Sequence, residues 1–257
     1  MFPIPRQEAQ DSSRKIPRIL FQTWETRTIS AELQDIINIW KEKNPEYEYI
    51  FHDASDREAF IKANFEKNIY DAYCKIVPGA YKADLWRYCI LYTYGGVYVD
   101  IDTLCLGSID AFLKDTTEFM APIDLNTNPN EGNHNVSNGF IAVSPKNSIM
   151  LGCIKRVVFH LEYNLIPYSK LDFSGPGALG REVNISLKLS ETDSVLGKQG
   201  HHETIHFLTF EPGTEYIKDS YGNVLLQNKN GNEDIKEIYS TECDSRNVIN
   251  WMTHRPF

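Results

Sequence analysis

Two carboxylates one residue apart, Asp100 and Asp102, close the apolar run Val97-Tyr98-Val99-Asp100-Ile101-Asp102-Thr103, which follows Gly95-Gly96. Read as a strand, this run alternates its side chains: Val97, Val99 and Ile101 share one face, and Tyr98, Asp100 and Asp102 share the other. Both acids then address one spot. Held about 7 Å apart, they repel by roughly 2 kcal/mol at an effective dielectric near 20, and an apolar strand offers neither an obvious internal partner. A divalent cation between them removes the conflict. Hard oxygen ligands suit Mg²⁺ or Mn²⁺, which keep positions open for water and substrate phosphates. The plainer alternative is a pair of solvated acids at a strand end.

A second pair of chemistry-bearing residues, Asp84 and Arg87, lies just upstream. Three residues apart, they share one face of a helix expected over Ala80 to Tyr94, where an exposed ion pair is worth under about 1 kcal/mol. Gly95 supplies the C′ stop for that helix. The surrounding pattern predicts further elements. Ile16 to Trp24 reads as a first buried strand, and Ser30 to Lys43 as an amphipathic helix capped by Ser30, with Leu33, Ile36, Ile37 and Trp40 at helical spacing. A second strand follows at Tyr47 to Phe51, then a short helix at Asp56 to Asn64. Strand, helix, strand, helix, strand is the grammar of a mainly parallel sheet covered on both faces, and ligands in such sheets sit beyond the carboxyl ends of the strands. Trp24, Asp53 and Asp102 fall at those ends.

The second half is less regular. An Asn-rich loop spans Asp124 to Asn138, a strand Gly139 to Val143, and a helix Ser148 to Asn164. Gly175-Pro176-Gly177 introduces another helix, Ala178 to Leu189. Tyr216-Ile217 and Val224-Leu225-Leu226, separated by a turn-forming stretch from Asp219 to Asn223, predict a β-hairpin. The domain expectation is a flexible N-terminal segment, residues 1–15, followed by one catalytic domain, residues 16–257.

Composition limits the classes of function. The chain has 257 residues, 42% hydrophobic and 24% charged, with a formal net charge of -9. That charge argues against a nucleic-acid partner, whose binding rests on Lys and Arg neutralising phosphates. It also disfavours an anionic substrate unless a cation is bound locally. The five cysteines form no C-x-x-C pair and read as buried thiols in a reducing compartment. No apolar run is long enough for a transmembrane segment, so the expected location is cytoplasmic or soluble intracellular. Two N-x-S/T triplets, at Asn135 and Asn184, are common enough by chance to carry little weight.

Set together, Ala83-Asp84-Leu85-Trp86-Arg87-Tyr88 and Leu91-Tyr92-x-Tyr94-Gly95-Gly96-Val97-Tyr98-x-Asp100-x-Asp102 resemble the DXD-containing sugar transferases of glycosyltransferase family 32, the yeast initiating mannosyltransferase type. They are also similar to the catalytic domain of the large clostridial glucosylating toxins. The spacing of Asp84, Arg87, the double glycine and the acidic pair is far rarer than Asp-x-Asp alone. The resemblance implies a GT-A fold and a metal-dependent transfer of a hexose or N-acetylhexosamine, with retention, from a nucleotide-diphosphate sugar to a glycan or protein acceptor. A UDP-sugar is favoured over GDP-mannose, and the implied cofactor is Mn²⁺ or Mg²⁺. Asp100 and Asp102 would hold the metal against the departing diphosphate. By the same resemblance, Asp84 accepts from donor-sugar hydroxyls and Arg87 shares the leaving-group charge, so the catalytic set is Asp100, Asp102 and Arg87.

The remaining assignments depend on that donor. Trp24 and Tyr98 have aromatic faces suited to flank a base, although Trp24 serves a core equally well. Asp53 binds base or ribose, or else caps the following helix. Asn138-Gly139 and Gly175-Pro176-Gly177 line the sugar or acceptor pocket, or their glycines serve turn geometry only. A third metal ligand is implied near the C-terminus, where His254 follows Trp251; His201, His202 and His206 are its rivals. Two other readings compete. Val97 to Thr103 fits the Asp-x-Asp-x-Thr strand of haloacid-dehalogenase phosphatases, but no convincing downstream Lys and acidic pair accompany it. An inactive sugar-nucleotide-binding protein is the second alternative.

Overall fold

The computed structural model describes residues 2–6, 13–124, 133–167, 169–194, 204–211 and 213–257. In chain order the elements are β1 (Ile19–Thr23), α1 (Ala31–Lys43), β2 (Glu48–His52), α2 (Ala54–Asn64), α3 (Lys67–Lys75), α4 (Gly79–Tyr94), β3 (Gly96–Val99) and β4 (Leu104–Cys105). There follow β5 (Phe119–Pro122), β6 (Phe140–Val143), α5 (Ser148–Glu162), α6 (Leu171–Ser174), α7 (Pro176–Ser186), β7 (Ile205–Glu211), β8 (Tyr216–Lys218), β9 (Val224–Gln227) and α8 (Glu233–Ser245).

Strand alternation builds the core. In β1, Ile19 and Phe21 enter one apolar cluster and Leu20 the opposite one; in β3, Tyr98 joins the first, and Val97 and Val99 the second. Phe119 and Met120 of β5 divide in the same way, as do Ile141 and Ala142 of β6. A sheet buried on both faces must carry apolar residues on both parities, which is why these strands read as unbroken apolar runs. The first cluster lies under α4, α5 and α7, and the second under α1 and α8.

The α/β architecture agrees with the sequence expectation, whereas the sheet is mixed and not mainly parallel. Its order is β2-β1-β3-β6-β5-β7-β8-β9-β4. β1 runs parallel to β2 and β3, and β5 to β7, while β6 lies antiparallel between β3 and β5. The expected hairpin is present as the antiparallel pair β8 and β9. Six elements went unforeseen: α3, β4, β5, α6, β7 and α8, the last of them mostly polar, with Ile235 and Glu242 its buried residues.

Local chemistry explains the element ends. Ser30 caps α1, its Oγ accepting from the Leu33 amide at 3.3 Å. Asp53 and Asp56 form a reciprocal capping box on α2. α4 is apolar around its circumference and is correspondingly buried from Ala83 to Leu91. It stops at Gly95, and both Gly95 and Gly96 adopt positive φ, +66° and +100°. A Cβ on Gly96 would lie 2.8 Å from the Ile19 carbonyl oxygen, so the double glycine lets β3 close on β1.

Part of the segment expected to be flexible is docked. Phe2 meets Phe60 edge-on at 5.6 Å, and His52 Nε2 lies 2.7 Å from the Pro3 carbonyl oxygen. Of the cysteines, Cys89, Cys105 and Cys153 are buried as expected, but Cys74 is exposed and Cys243 half-buried. Asn135 and Asn184, which head the two triplets, are both buried. Among the described residues no helix is long and apolar enough to cross a membrane.

Candidate active site

A cavity of about 580 Å³ opens at the carboxyl ends of β1 and β3, walled by α4, by Lys170, Leu171, Gly175 and Pro176, by Lys229 and Asn230, and by α8 with the chain that follows it. Trp24, Asp84, Arg87, Tyr98, Asp100, Asp102 and Asn138 all line it. Asp53 and His254 do not.

The Asp84 and Arg87 pair is not the exposed ion pair that spacing alone allows. Because α4 is buried, Asp84 is 8% and Arg87 5% exposed, and each is fully partnered. Asp84 Oδ1 forms an ion pair with Arg87 Nη2 at 3.2 Å and accepts from Asn138 Nδ2 at 2.8 Å, and Oδ2 accepts from Ser174 Oγ at 2.7 Å. Arg87 Nη1 donates to the Asn138 carbonyl oxygen at 2.6 Å and reaches Asp100 Oδ1 at 3.2 Å. Burial, the largest influence, raises the Asp84 carboxyl to about 6, against the lowering effect of Arg87, Ser174 and Asn138. Arg87 thus joins the carboxylate of α4 to the first acid of the Asp-x-Asp pair.

That pair does not occupy one strand. β3 ends at Val99; the Asp100 amide still donates to the Gly139 carbonyl at 2.8 Å, and the chain then turns, with the Thr103 amide donating to the Asp100 carbonyl at 3.2 Å. Both acids nevertheless face the cavity. Nor do they lack partners, as an apolar strand suggested. Asp100 Oδ1 accepts from the Tyr98 hydroxyl at 2.7 Å and is ion-paired with Arg87, and Asp102 Oδ2 pairs with Lys229 Nζ. Burial raises the Asp102 carboxyl, Lys229 opposes this, and Asp100 adds to it. Gly139 is placed by the same geometry, since a Cβ there would lie 2.8 Å from Asp100 Oδ2.

Three candidates sit in settings that spacing alone did not specify. Tyr98 is 2% exposed and carries the Arg87 guanidinium 4.2 Å above its ring, so that ring face is occupied by Arg87. Asp53 is the N-cap of α2 and is held by Arg27 at 3.3 Å, which makes it a structural cap. His254 is exposed, its Nδ1 lying 3.0 Å from the Asn250 carbonyl oxygen, and is no cavity ligand. Its rival His206 sits on β7 beside Thr117, and His201 and His202 lie outside the described residues. Trp24 keeps its position: it lines the cavity edge-on to Tyr239 at 5.4 Å, with Nε1 unpartnered among the described residues.

Sequence reading missed Ser174, Lys229 and Tyr239. Lys229 sits in Asn228-Lys229-Asn230-Gly231, a stretch that reads as a solvated turn, and Tyr239 lies on the mostly polar α8. The one available signal was the need of a buried acidic pair for positive charge. For a divalent cation, Asp100 and Asp102 present hard oxygens to one cavity, and no donor among the described residues reaches Asp100 Oδ2. No cluster of three or more His, Cys, Asp or Glu able to hold a metal occurs among the described residues. The donor set therefore fits an ion that keeps water and phosphate ligands.

Residues 30–119 match the family model described as a glycosyltransferase sugar-binding region containing a DXD motif. Inositol phosphoceramide mannosyltransferase 3 of Schizosaccharomyces pombe is 32% identical over 105 residues, 40% of this chain and 29% of that protein. The initiation-specific alpha-1,6-mannosyltransferase of Candida albicans is 28% identical over 112 residues, again 29% of its length. The match thus spans under a third of either relative. Among solved structures, the PaToxG glycosyltransferase superposes with a TM-score of 0.54 at 15% identity, covering 68% of this chain and 70% of that one. The fold is GT-A, and the resemblance to the DXD sugar transferases rests on the sequence match as well as on Asp84, Arg87, Asp100 and Asp102.

Proposed function

We propose that this chain is a metal-dependent glycosyltransferase that takes a hexosyl group from a nucleoside diphosphate sugar bound in the cavity beyond β1 and β3. One observation carries the reading: Asp84, Asn138, Arg87 and Asp100 form a single cluster of hydrogen bonds and ion pairs that ends beside Asp102 and lines a cavity large enough for a nucleotide sugar. Much of that cluster falls inside the matched sugar-binding region.

The residues divide the work. Asp84, ionised and held by Ser174, Asn138 and Arg87, presents carboxylate oxygens to sugar hydroxyls. Arg87, fixed by the Asn138 carbonyl and stacked on Tyr98, places a permanent positive charge where the sugar–phosphate bond breaks. Trp24 offers the cavity-facing part of its indole to the nucleotide. Asp100 and Asp102 would hold Mn²⁺ or Mg²⁺, which supplies Lewis-acid stabilisation of the departing diphosphate. No side chain among the described residues lining the cavity stands out as a covalent nucleophile.

A mannosyl donor is proposed first, since the curated relatives carry mannosyltransferase names. A UDP-sugar, the expectation from sequence, is the second donor. For the acceptor, the glycan or protein expected from sequence is joined by an inositol phosphoceramide headgroup, the acceptor class in one relative's name. The phosphatase and inactive-binder readings have no comparable support. Titration calorimetry with GDP-mannose and UDP-glucose, with and without Mn²⁺, tests the reading. Asp102→Asn is expected to weaken Mn²⁺-dependent binding roughly a hundredfold, the equivalent of about 3 kcal/mol, with the melting transition retained. Unchanged binding by that variant would sink the metal assignment.

A further inference from the structure

Lys229 is the cation at Asp102, as Arg87 is at Asp100, and its setting is built. It leads the short 3₁₀ turn Lys229–Gly231 between β9 and α8. The turn is fixed by Gln227 Nε2, which donates to the Gly231 and Thr214 carbonyls at 2.9 Å each, and by Asn228 Oδ1, which accepts from the Asn230 amide at 3.1 Å. From that base the ammonium lies between Asp102 Oδ2 and the face of Tyr239, 3.6 Å from the ring centroid. All three residues line the cavity. An ammonium has three donors, and Asp102 is its one hydrogen-bond acceptor among the described residues.

The carboxylate that Lys229 holds is one of the two placed to receive a divalent cation. Two cations on one carboxylate repel, so Lys229 and the metal compete for Asp102. Lys229 has a second partner available once a nucleotide is present, because a diphosphate brings strong acceptors into the same cavity and a lysine stem turns readily about its rotatable bonds. We propose that Lys229 is a built-in counter-ion that occupies Asp102 while the site is free of metal and turns to the diphosphate of a bound nucleotide when metal is present. Metal and nucleotide then bind with positive cooperativity, and by linkage each raises the other's affinity by the same factor. This inference rests on the donor-site reading above and adds to it a residue that couples the two ligands.

The test measures binding, not turnover. Mn²⁺ alone is titrated into wild type, Lys229→Met and Asp102→Asn, and GDP and UDP are then titrated with and without Mn²⁺. Removing the competitor is expected to tighten Mn²⁺ alone about tenfold in Lys229→Met, and to cut the enhancement of nucleotide binding by Mn²⁺ about tenfold. Mn²⁺ binding no tighter than wild type, or an undiminished enhancement, would overturn the proposal. If Lys229→Met does not give a cooperative melt, Lys229→Gln, neutral but still able to donate to Asp102, is read by the same two criteria. The donor-site reading fails separately: it falls if wild type binds neither nucleotide with Mn²⁺, or if Asp102→Asn binds Mn²⁺ as wild type does.

Discussion

Asp84 shows how far a site can move a single group. Burial raises its carboxyl to about 6, while the unfolded chain titrates near 4. Its role toward sugar hydroxyls needs the ionised form, which is lost as pH falls through that higher value. Donor affinity of the wild type is therefore expected to fall about tenfold per unit below pH 6, and the corresponding profile of Asp84→Asn to be weak and flat over the same range. For the fold the sense is opposite. A raised carboxyl contributes stability below its unfolded value and loses it as pH rises through the folded one, so wild type should lose stability relative to Asp84→Asn between about pH 4 and 6. Denaturant midpoints across that window check the point, and parallel curves for the two proteins would show that Asp84 is not raised. Sequence placed Asp84 and Arg87 on one helical face but not their burial, because Ser174 and Asn138 arrive from elements far along the chain.

At the scale of elements, the junction of α4 and β3 holds the site together. The helix carries Asp84 and Arg87, the strand leads into Asp100 and Asp102, and Gly95-Gly96 sets the angle between them. Both glycines have positive φ, and side chains there would meet Pro145 and the Ile19 carbonyl respectively. Gly96→Ala is expected to cost roughly 1–3 kcal/mol from backbone strain, with further loss where β3 is pushed from β1. Equilibrium denaturation within about 0.5 kcal/mol of wild type would refute this account of the double glycine. α1 was legible because a capped helix with one apolar face writes its period directly into the chain. α8 was not, since most of its surface is polar and its contribution to the cavity follows from where β9 leaves it.

Across the whole molecule, one ionic knot ties the entry to β1 against the far edge of the second core. Asp110 pairs with Arg14 at 2.9 Å and Arg18 at 2.8 Å, and accepts from the Tyr47 hydroxyl at 2.7 Å. Burial acts to raise its carboxyl, but the hydrogen bonds from Arg14, Arg18 and Tyr47 outweigh it and bring the value to about 2. A lowered carboxyl stabilises the fold above its unfolded value, and that contribution disappears as pH falls from about 4 to 2. Asp110→Asn should thus be less stable than wild type at pH 5 and converge with it near pH 2. Midpoints that stay parallel down to pH 2 would remove the knot from the stability of the fold. The net charge of -9 acts on the same scale, leaving Arg87 and Lys229 as local positive charges in an acidic molecule.

The sequence by itself determined the chemistry that is local along the chain: an acidic pair behind a double glycine, an Asp and Arg one turn apart, and the helices and strands whose apolar periods are long enough to read. Tertiary structure decided what each of these groups touches. It set β6 antiparallel between β3 and β5, gave Asp53 to a helix cap, covered Tyr98 with Arg87, left His254 on the surface and brought Lys229 to Asp102 across 127 residues. The reason is physical. Helix and strand propensity act between neighbours in sequence, whereas the partner of a buried charge is whichever group packing delivers, and chain order carries no record of that delivery.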